Sequence, residues 1–579
     1  MKKLVVLVIA ALVMLGLVVA PVLAVPTAEL NALAKYFPAD TQMFISLRID
    51  DPYIATWDNL IQKVAASLPD ADMPDHITDA LDKGIDELLG KGNFQSEVRT
   101  WLGDVASIGV NSFEAMMPRS GSSSSEPPHM LFATPVKNEQ AANDFWSAAF
   151  TKTSGSKYTS STEGDFTVYA SDDKEQAIVA IGKDVLFVAL YKEDLPLTMP
   201  SSSLGDSADF KSTVALLPES DYNIALYADL GGYLSTVMEM SASMMGTANP
   251  MTGMMESMKD LYTNFPPMVM GFTVLDERSF TVDFALPYGD ILDVVEKAGF
   301  PVAVQQPIDP AFASRIPGGI PFVIHSTDLG KSLNSFLKTL QLQGQMMAGA
   351  GTGTNVQDIE KGLAQAKFFI QGLTGLDLEK DIIPALEGDY ALYVGLHPAL
   401  SDVQNERDLM KQLPVDFAFM TEVTDPKVSA GLMQGIKMAL ASSKDVKVTD
   451  EKVAGTDSIV ITAADRNAPF PLEFIVSASD DLFVIGTRRS VTTALRGDGG
   501  LPADPSFKEA AQYLVPSPSA VMYFASEGLR PLGKIMAMTG SRRDARQFEA
   551  VLQLISSASI SASIRDNVSY GRFVWTLPQ

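Results

Sequence analysis

The sequence predicts an α+β fold: two tandem copies of a mostly antiparallel sheet with helices packed on one face. Short stretches recur in the same order in both halves of the 579-residue chain. Within each half, runs that alternate toward strand are joined by close turns, and such turns connect antiparallel neighbours. Apolar residues at helical spacing lie between these runs, which is typical of helices that cover a sheet.

The repeated stretches begin with a proline-containing turn and a strand. Phe37-Pro38 precedes a predicted strand from Met43, and Ile316-Pro317 precedes one from Phe322. An amphipathic helix follows in each copy. In the second copy its predicted apolar stripe is Leu333, Phe336, Leu337 and Leu340.

The most specific repeated motif is a Gly-Asp pair in front of a strand. The residues that define this motif are Trp101, Gly103 and Asp104 in the first half and Pro384, Gly388 and Asp389 in the second. Further along, Phe187 in VLFVAL matches Phe483 in DLFVIG. Shared order with little drift in spacing indicates a duplication, and we place the first copy at residues 25–300 and the second at residues 301–579.

The later elements follow the same pattern in both copies. Asp425-Pro426 opens a helix as an N-cap followed by proline at the first helical position. The stretches from Ala177 to Leu190 and from Glu473 to Gly486 each predict two strands around a turn. Each copy then has one more strand and helix and ends on a hairpin.

The amino-acid composition restricts the functions that the chain can have. With 46% hydrophobic residues the chain is expected to fold, and without cysteine it has no disulfide, thiolate metal ligand or cysteine nucleophile. Its 70 acidic and 44 basic residues give a net charge of -26. A surface so negative disfavours nucleic acid and anionic lipid headgroups as partners.

Residues 1–24 have the pattern of a signal peptide. Lys2 and Lys3 precede an apolar run, and Val22-Leu23-Ala24 places small residues where a signal peptidase cleaves. We therefore expect an exported protein of the periplasm, cell surface or medium. The alternative is an uncleaved anchor, because about 20 apolar residues span a bilayer. In that case this segment would be the only contact with the membrane.

GLDLEKDIIPALEGDYAL, from Gly375 to Leu392, together with Pro-Ala-Asp-Thr at residues 38–41, resembles an exported bacterial family described as domain of unknown function 3352. The resemblance covers nearly the whole mature chain. It implies a repeat protein exposed in the cell envelope and supplies no catalytic residues.

The residues that usually carry catalysis are weakly represented. Four histidines, at positions 76, 129, 325 and 397, have no metal-binding spacing. Ser335 and Lys338 fit a Ser-x-x-Lys pattern, which would make a hydrolase, but Phe336 and Leu337 between them belong to the predicted apolar stripe. We expect no cofactor and no catalytic site, with an extracytoplasmic hydrolase using serine or carboxylates as the alternative.

Residues 238–270 contain 10 of the 27 methionines. Core packing is the first interpretation, and an adaptable groove for an apolar ligand or partner is the second. The third is a copper site, because thioethers bind Cu(I). Its candidate ligands are Met244, Met245, Met254, Met255 and Met258. The sequence therefore favours a non-enzymatic envelope module that binds an unknown protein or apolar ligand.

Overall fold

A computed structural model describes most of the chain. It covers residues 25–56, 58, 62, 76–90, 92–111, 129–154, 158–171, 177–245, 263–275, 278–288, 305–349, 356–402, 413–441, 443–463, 472–540 and 542–578. These residues form two compact units. The first contains the described residues up to 245 and those of 263–288, and the second contains those from 305 onward. The predicted signal peptide and the predicted boundary at residue 300 lie outside the described residues.

The first unit has ten strands in one antiparallel sheet, apart from a two-residue pairing of Val25–Pro26 with Asp221–Tyr222. The strands are β1 (Met43–Arg48), β2 (Val105–Val110), β3 (Met130–Pro135), β4 (Tyr158–Glu163), β5 (Phe166–Ser171), β6 (Ile178–Ile181), β7 (Val185–Ala189), β8 (Ile224–Ala228), β9 (Met268–Val274) and β10 (Ser279–Pro287). Their order is β10-β9-β8-β1-β2-β3-β7-β6-β5-β4.

The second unit repeats this sheet strand for strand. Its strands are β11 (Phe322–Thr327), β12 (Asp389–Leu396), β13 (Val415–Glu422), β14 (Val446–Val453), β15 (Thr456–Ala463), β16 (Glu473–Ala478), β17 (Leu482–Gly486), β18 (Ala520–Ala525), β19 (Ser557–Arg565) and β20 (Val568–Thr576). Their order is β20-β19-β18-β11-β12-β13-β17-β16-β15-β14, again antiparallel throughout. The predicted duplicated α+β fold is confirmed.

Eleven labelled helices connect these strands within the described residues. They are α1 (Ile77–Leu89), α2 (Glu139–Ser154), α3 (Ala208–Val214), α4 (Leu230–Met245), α5 (Leu329–Gly349), α6 (Val356–Thr374), α7 (Pro426–Leu440), α8 (Arg488–Arg496), α9 (Pro505–Ala511), α10 (Arg530–Thr539) and α11 (Arg542–Leu552). Shorter helical turns include Thr27–Leu30, Ala32–Tyr36, Phe94–Glu97, Pro310–Arg315, Leu378–Ile382 and Ile383–Ala385. As predicted, Asp425 caps α7, accepting from the Lys427 amide at 2.9 Å, with Pro426 in the first turn.

Five of the helices pack on one face of their sheet. In the first unit α1 and α2 pack there, and in the second unit α5, α6 and α7 do so. Short elements also cover the opposite face. In the second unit these are α8, α9 and the turn Pro310–Arg315, whose apolar side chains join Val323, Tyr393 and Tyr523 in a separate core. The prediction of helices on one face therefore holds for α1, α2, α5, α6 and α7, whereas α8 and α9 pack on the other face.

The structure differs from the sequence-based predictions in two details, the match of Phe187 with Phe483 and the apolar stripe of α5. Phe187 packs against Tyr36 and Phe166, on the face opposite α2, whereas Phe483 packs in the core beneath α7. Leu186 is the residue that packs beneath α2. Because successive strand residues point to opposite faces, the match between Phe187 and Phe483 is one residue out of register. In the predicted stripe of α5, Leu333 and Leu337 pack against the core, but Phe336 is exposed.

Candidate functional site

The Gly-Asp motif of the first unit is a tight crossing between strands. The Gly103 amide donates to the Pro135 carbonyl at 2.8 Å, and a Cβ on Gly103 would lie 2.7 Å from that oxygen. Trp101 is buried, and its indole N–H donates to the Glu97 carbonyl. The exposed Asp104 carboxylate accepts from Arg99 and, at 2.7 Å, from Lys137. Although burial opposes the shift, these hydrogen bonds lower the pKa of Asp104. The motif is structural here.

In the second unit the corresponding aspartate is buried. Asp389 begins β12, and its Oδ2 accepts from His325 Nε2 at 2.7 Å and from the Asp309 amide at 2.7 Å. Gly388 is needed because a Cβ there would lie 2.6 Å from the Cβ of Glu422. Pro384 lies in the helical turn Ile383–Ala385, which precedes this strand. The two aspartates of the motif therefore have different surroundings.

A second acidic side chain, that of Glu422, adjoins the buried pair of Asp389 and His325. Glu422 Oε2 accepts from the Asp389 amide at 3.0 Å. Burial raises the pKa of Glu422; the Asp389 amide opposes this shift, and the Asp389 carboxylate adds to it. Phe312 stacks on the His325 ring at 5.2 Å between centroids. Through the Asp309 amide, the cluster holds in place the segment around Asp309, which precedes β11. Among the described residues no nucleophile is bonded to the side chains of the cluster.

The face of the second sheet against which α5, α6 and α7 pack carries, on strands β11–β13 and β18–β20, two rows of apolar side chains, here named the apolar band. Residues of the first row lie directly opposite one another on six neighbouring strands: Phe419, Leu392, Ile324, Met522, Ile560 and Phe573. The second row is Phe417, Val394, Phe322, Phe524, Ala558 and Trp575. At ~4.8 Å per strand each row spans about 24 Å, and the rows are about 7 Å apart.

The apolar band is accessible to solvent. Val394 and Met522 are each 39% exposed and Ile560 is 42% exposed, and every other member is partly buried. The first row has a counterpart in the first unit: Phe132, Ile108, Ile45, Leu226, Met270 and Phe284. There Phe132 and Ile108 are buried with the core of α1 and α2. The more open row is therefore the one in the second unit.

Strand β19 shows how unusual this face is. Its four alternating serines, Ser557, Ser559, Ser561 and Ser563, face the interior and are buried, while Ile560 faces solvent. An antiparallel strand with one solvated face normally places apolar residues inside and polar residues outside. In β19 this order is inverted. The hydroxyl of one of the buried serines, Ser561, accepts a hydrogen bond from the Val515 amide at 3.0 Å.

The other predicted candidates occupy ordinary positions. His129 bonds Asp194, His76 bonds Gln62, and the His397 ring accepts from the Ala399 amide. Ser335 is partly buried and Lys338 is exposed on α5, and no hydrogen bond joins these two described side chains. The Ser-x-x-Lys pattern therefore has no assembled site in the described part of the chain.

The methionine-rich segment is only partly described. Met244 and Met245 lie in α4, whereas Met254, Met255 and Met258 lie outside the described residues. Met268 and Met270 are in strand β9, and both point to the half-buried face of the sheet. Among the described residues no three His, Asp or Glu side chains are grouped to hold a metal ion. No described helix is long and apolar enough to cross a membrane.

The apolar band was not predicted from the sequence, but a signal for it is present. Strand β13 reads Phe417-Ala418-Phe419-Met420, which is apolar in both phases of the alternation. Such strands are typical of sheets covered on both faces. In the structure Ala418 and Met420 are buried in the core, and Phe417 and Phe419 lie in the apolar band. The residues of β13 that alternate with its core residues are therefore apolar as well, although the core does not require this.

Comparison with known proteins shows the family. The model of a family described as protein of unknown function, DUF3352, matches residues 3–196 and 295–577. These two segments cover most of the chain: the first includes strands β1 to β7 of the first unit, and the second includes all ten strands of the second unit. The chain belongs to this family. No curated protein and no solved structure matches it.

Proposed function

We propose that this chain is an exported, non-enzymatic binding module of the cell envelope that holds an apolar ligand on the apolar band of its second unit. The observation that carries the proposal is the inverted strand β19, which buries four serines and exposes Ile560. A fold gains nothing from that inversion alone, because buried hydroxyls lose water and exposed aliphatic surface stays hydrated. A ligand that covers Ile560 makes the arrangement favourable.

The shape of the band favours a long hydrocarbon chain. A row of about 24 Å on a sheet face offers contact along an extended ligand, and a second row about 7 Å away gives it width. Each buried methylene contributes about 0.8 kcal/mol. Met522 adds a pliable side chain that fits varied shapes. A neutral ligand suits the net charge of -26, which repels anions.

The test is a fluorescence titration with a pyrene-labelled long-chain alcohol. Ile560→Asp places a carboxylate beneath the ligand, and burying an unpaired charge costs several kcal/mol. We expect binding to weaken about 100-fold, which corresponds to about 3 kcal/mol.

Val551→Asp is the matched control, because Val551 is 43% exposed on α11 and lies outside the band. It is expected to bind the probe like the unmodified chain. Equal affinities for both variants would refute the proposed site. Circular dichroism of the two variants checks that both are folded.

Export rests on the N-terminal pattern of Lys2, Lys3 and the apolar run that follows. The absence of an assembled nucleophile, acid and base among the described side chains supports a binding role over the hydrolase alternative. The mass of the mature chain tests export directly, because cleavage after Ala24 removes residues 1–24.

A further inference from the structure

Acidic side chains fasten the segment that leads into the second unit, residues 305–309, here named the entry segment. The Gln306 amide donates to Asp328 Oδ2 at 3.0 Å, and the Asp309 amide donates to Asp389 Oδ2 at 2.7 Å. A backbone amide that donates to an ionised carboxylate makes a stronger hydrogen bond than one that donates to a neutral acceptor. The entry segment therefore depends on two carboxylates for its position on the sheet.

The first unit holds the chain ahead of its sheet with a hydroxyl instead. Ser46 stands in β1 where His325 stands in β11, because each follows the residue that its strand contributes to the matching rows of apolar side chains. The buried Ser46 hydroxyl donates to the carbonyl of Leu30, in the helical turn that precedes β1. A serine hydroxyl does not ionise between about pH 5 and 8, so this contact does not respond to pH in that range.

The cluster of His325, Asp389 and Glu422 gathers negative charge inside the second unit. His325 and Asp389 are buried, and the partly buried Glu422 accepts from the Asp389 amide. With His325 neutral and both carboxylates ionised, the three side chains carry two negative charges. Like charges at such short range and away from water repel each other and favour the uptake of protons.

Among the described residues, further charged groups lie around the cluster on the entry segment, on the turn that follows it and at the start of α5. They are Asp309, Arg315, Asp328 and Lys331. The last two form an ion pair with each other at 3.2 Å. Burial has the largest effect on the pKa of Glu422 and raises it, whereas Arg315 opposes this rise and Asp309 adds to it. The surrounding charges therefore do not remove the preference of the cluster for protons.

We propose that the cluster is an acid-strengthened clamp, which holds the entry segment more tightly as the pH falls from about 8 to about 5. When Glu422 takes up a proton, the Asp389 carboxylate no longer faces a second negative charge. When His325 takes up a proton, its hydrogen bond to Asp389 becomes an ion pair. A state that binds protons more tightly is stabilised as the pH falls. The clamp does not depend on the proposed ligand of the apolar band.

Hydrogen exchange of the full-length chain between about pH 5 and 8, read by mass spectrometry with fragmentation to single residues, tests the clamp. The protection factor of the Asp309 amide is corrected for the pH dependence of chemical exchange. We expect it to rise, as the pH falls, by up to about tenfold per pH unit for each proton that the clamp takes up. The control is the Asn31 amide, which donates to the Thr27 carbonyl at 3.0 Å beside the Ser46 contact and should keep a constant protection factor.

Two variants identify the titrating groups. Glu422→Gln removes one of them and should flatten the pH dependence at least in part. With His325→Gln added, the protection factor at Asp309 should no longer change with pH, and the glutamine keeps a donor for Asp389. The single variant gives the answer if the double variant does not fold. A constant protection factor at Asp309 in the unmodified chain, an equal rise at Asn31, or an undiminished rise in Glu422→Gln would overturn the proposal.

Discussion

The buried carboxylate of Asp389 gives a sharp contrast with its counterpart Asp104. Asp389→Asn keeps the shape of the side chain and removes the charge that accepts from His325 and from the Asp309 amide. Breaking one partner of a buried pair costs about 3–5 kcal/mol. Asp104→Asn changes an exposed carboxylate, where ion pairs contribute about 0–1 kcal/mol. We expect a loss of about 3 kcal/mol at the buried site and less than about 1 kcal/mol at the exposed site.

Two measurements check this contrast. At roughly 2–4 °C per kcal/mol for a unit of this size, scanning calorimetry should show a Tm lowered by about 6–12 °C for Asp389→Asn. Hydrogen exchange adds a local readout, because the Asp309 amide donates to Asp389 and should exchange faster in that variant only. Equal stability losses for the two substitutions, or unchanged exchange at residue 309, would refute the assignment of Asp389 as the residue that holds the segment around Asp309 in place.

Two further predictions concern stability. Burial raises the pKa of Glu422, so the folded state binds its proton more tightly than the unfolded state. The free energy of unfolding of Glu422→Gln should therefore rise relative to that of the unmodified chain as the pH increases above about 4.5. Urea titrations at several pH values measure this difference in free energy. A difference that does not change with pH would contradict the prediction. Gly271→Ala should cost about 1–3 kcal/mol, because its Cβ would lie 2.4 Å from the Tyr222 ring. The control Gly372→Ala has no neighbour within 4 Å on a helix and should be neutral or stabilising by up to about 1 kcal/mol in the same thermal assay.

The duplicated architecture could be predicted because turn chemistry and periodicity are local. The Asp425-Pro426 start of α7 and the hairpins β6–β7 and β16–β17 lie where the sequence indicates them. Register is harder to predict. Phe187 and Phe483 match as letters but lie on opposite faces, since a shift of one residue reverses every side chain of a strand.

The candidate site depends on neighbours that are distant in the sequence. Ile324, Met522 and Ile560 lie side by side only because β11, β18 and β19 pair in that order. The sequence places nearly 200 residues between Ile324 and Met522, and no local pattern joins them. The buried pair of His325 with Asp389 has the same origin. An isolated histidine in a strand does not indicate which side chain lies opposite it.

The central claim is that the apolar band holds a ligand, and native mass spectrometry of the mature protein purified gently from its own host tests it most directly. We expect a chain that lacks residues 1–24 and carries a reproducible extra mass of a lipid-like compound. Val551→Asp should keep this mass, and Ile560→Asp should lose it. A bare chain in all three preparations, or an extra mass that Ile560→Asp retains, would contradict the claim.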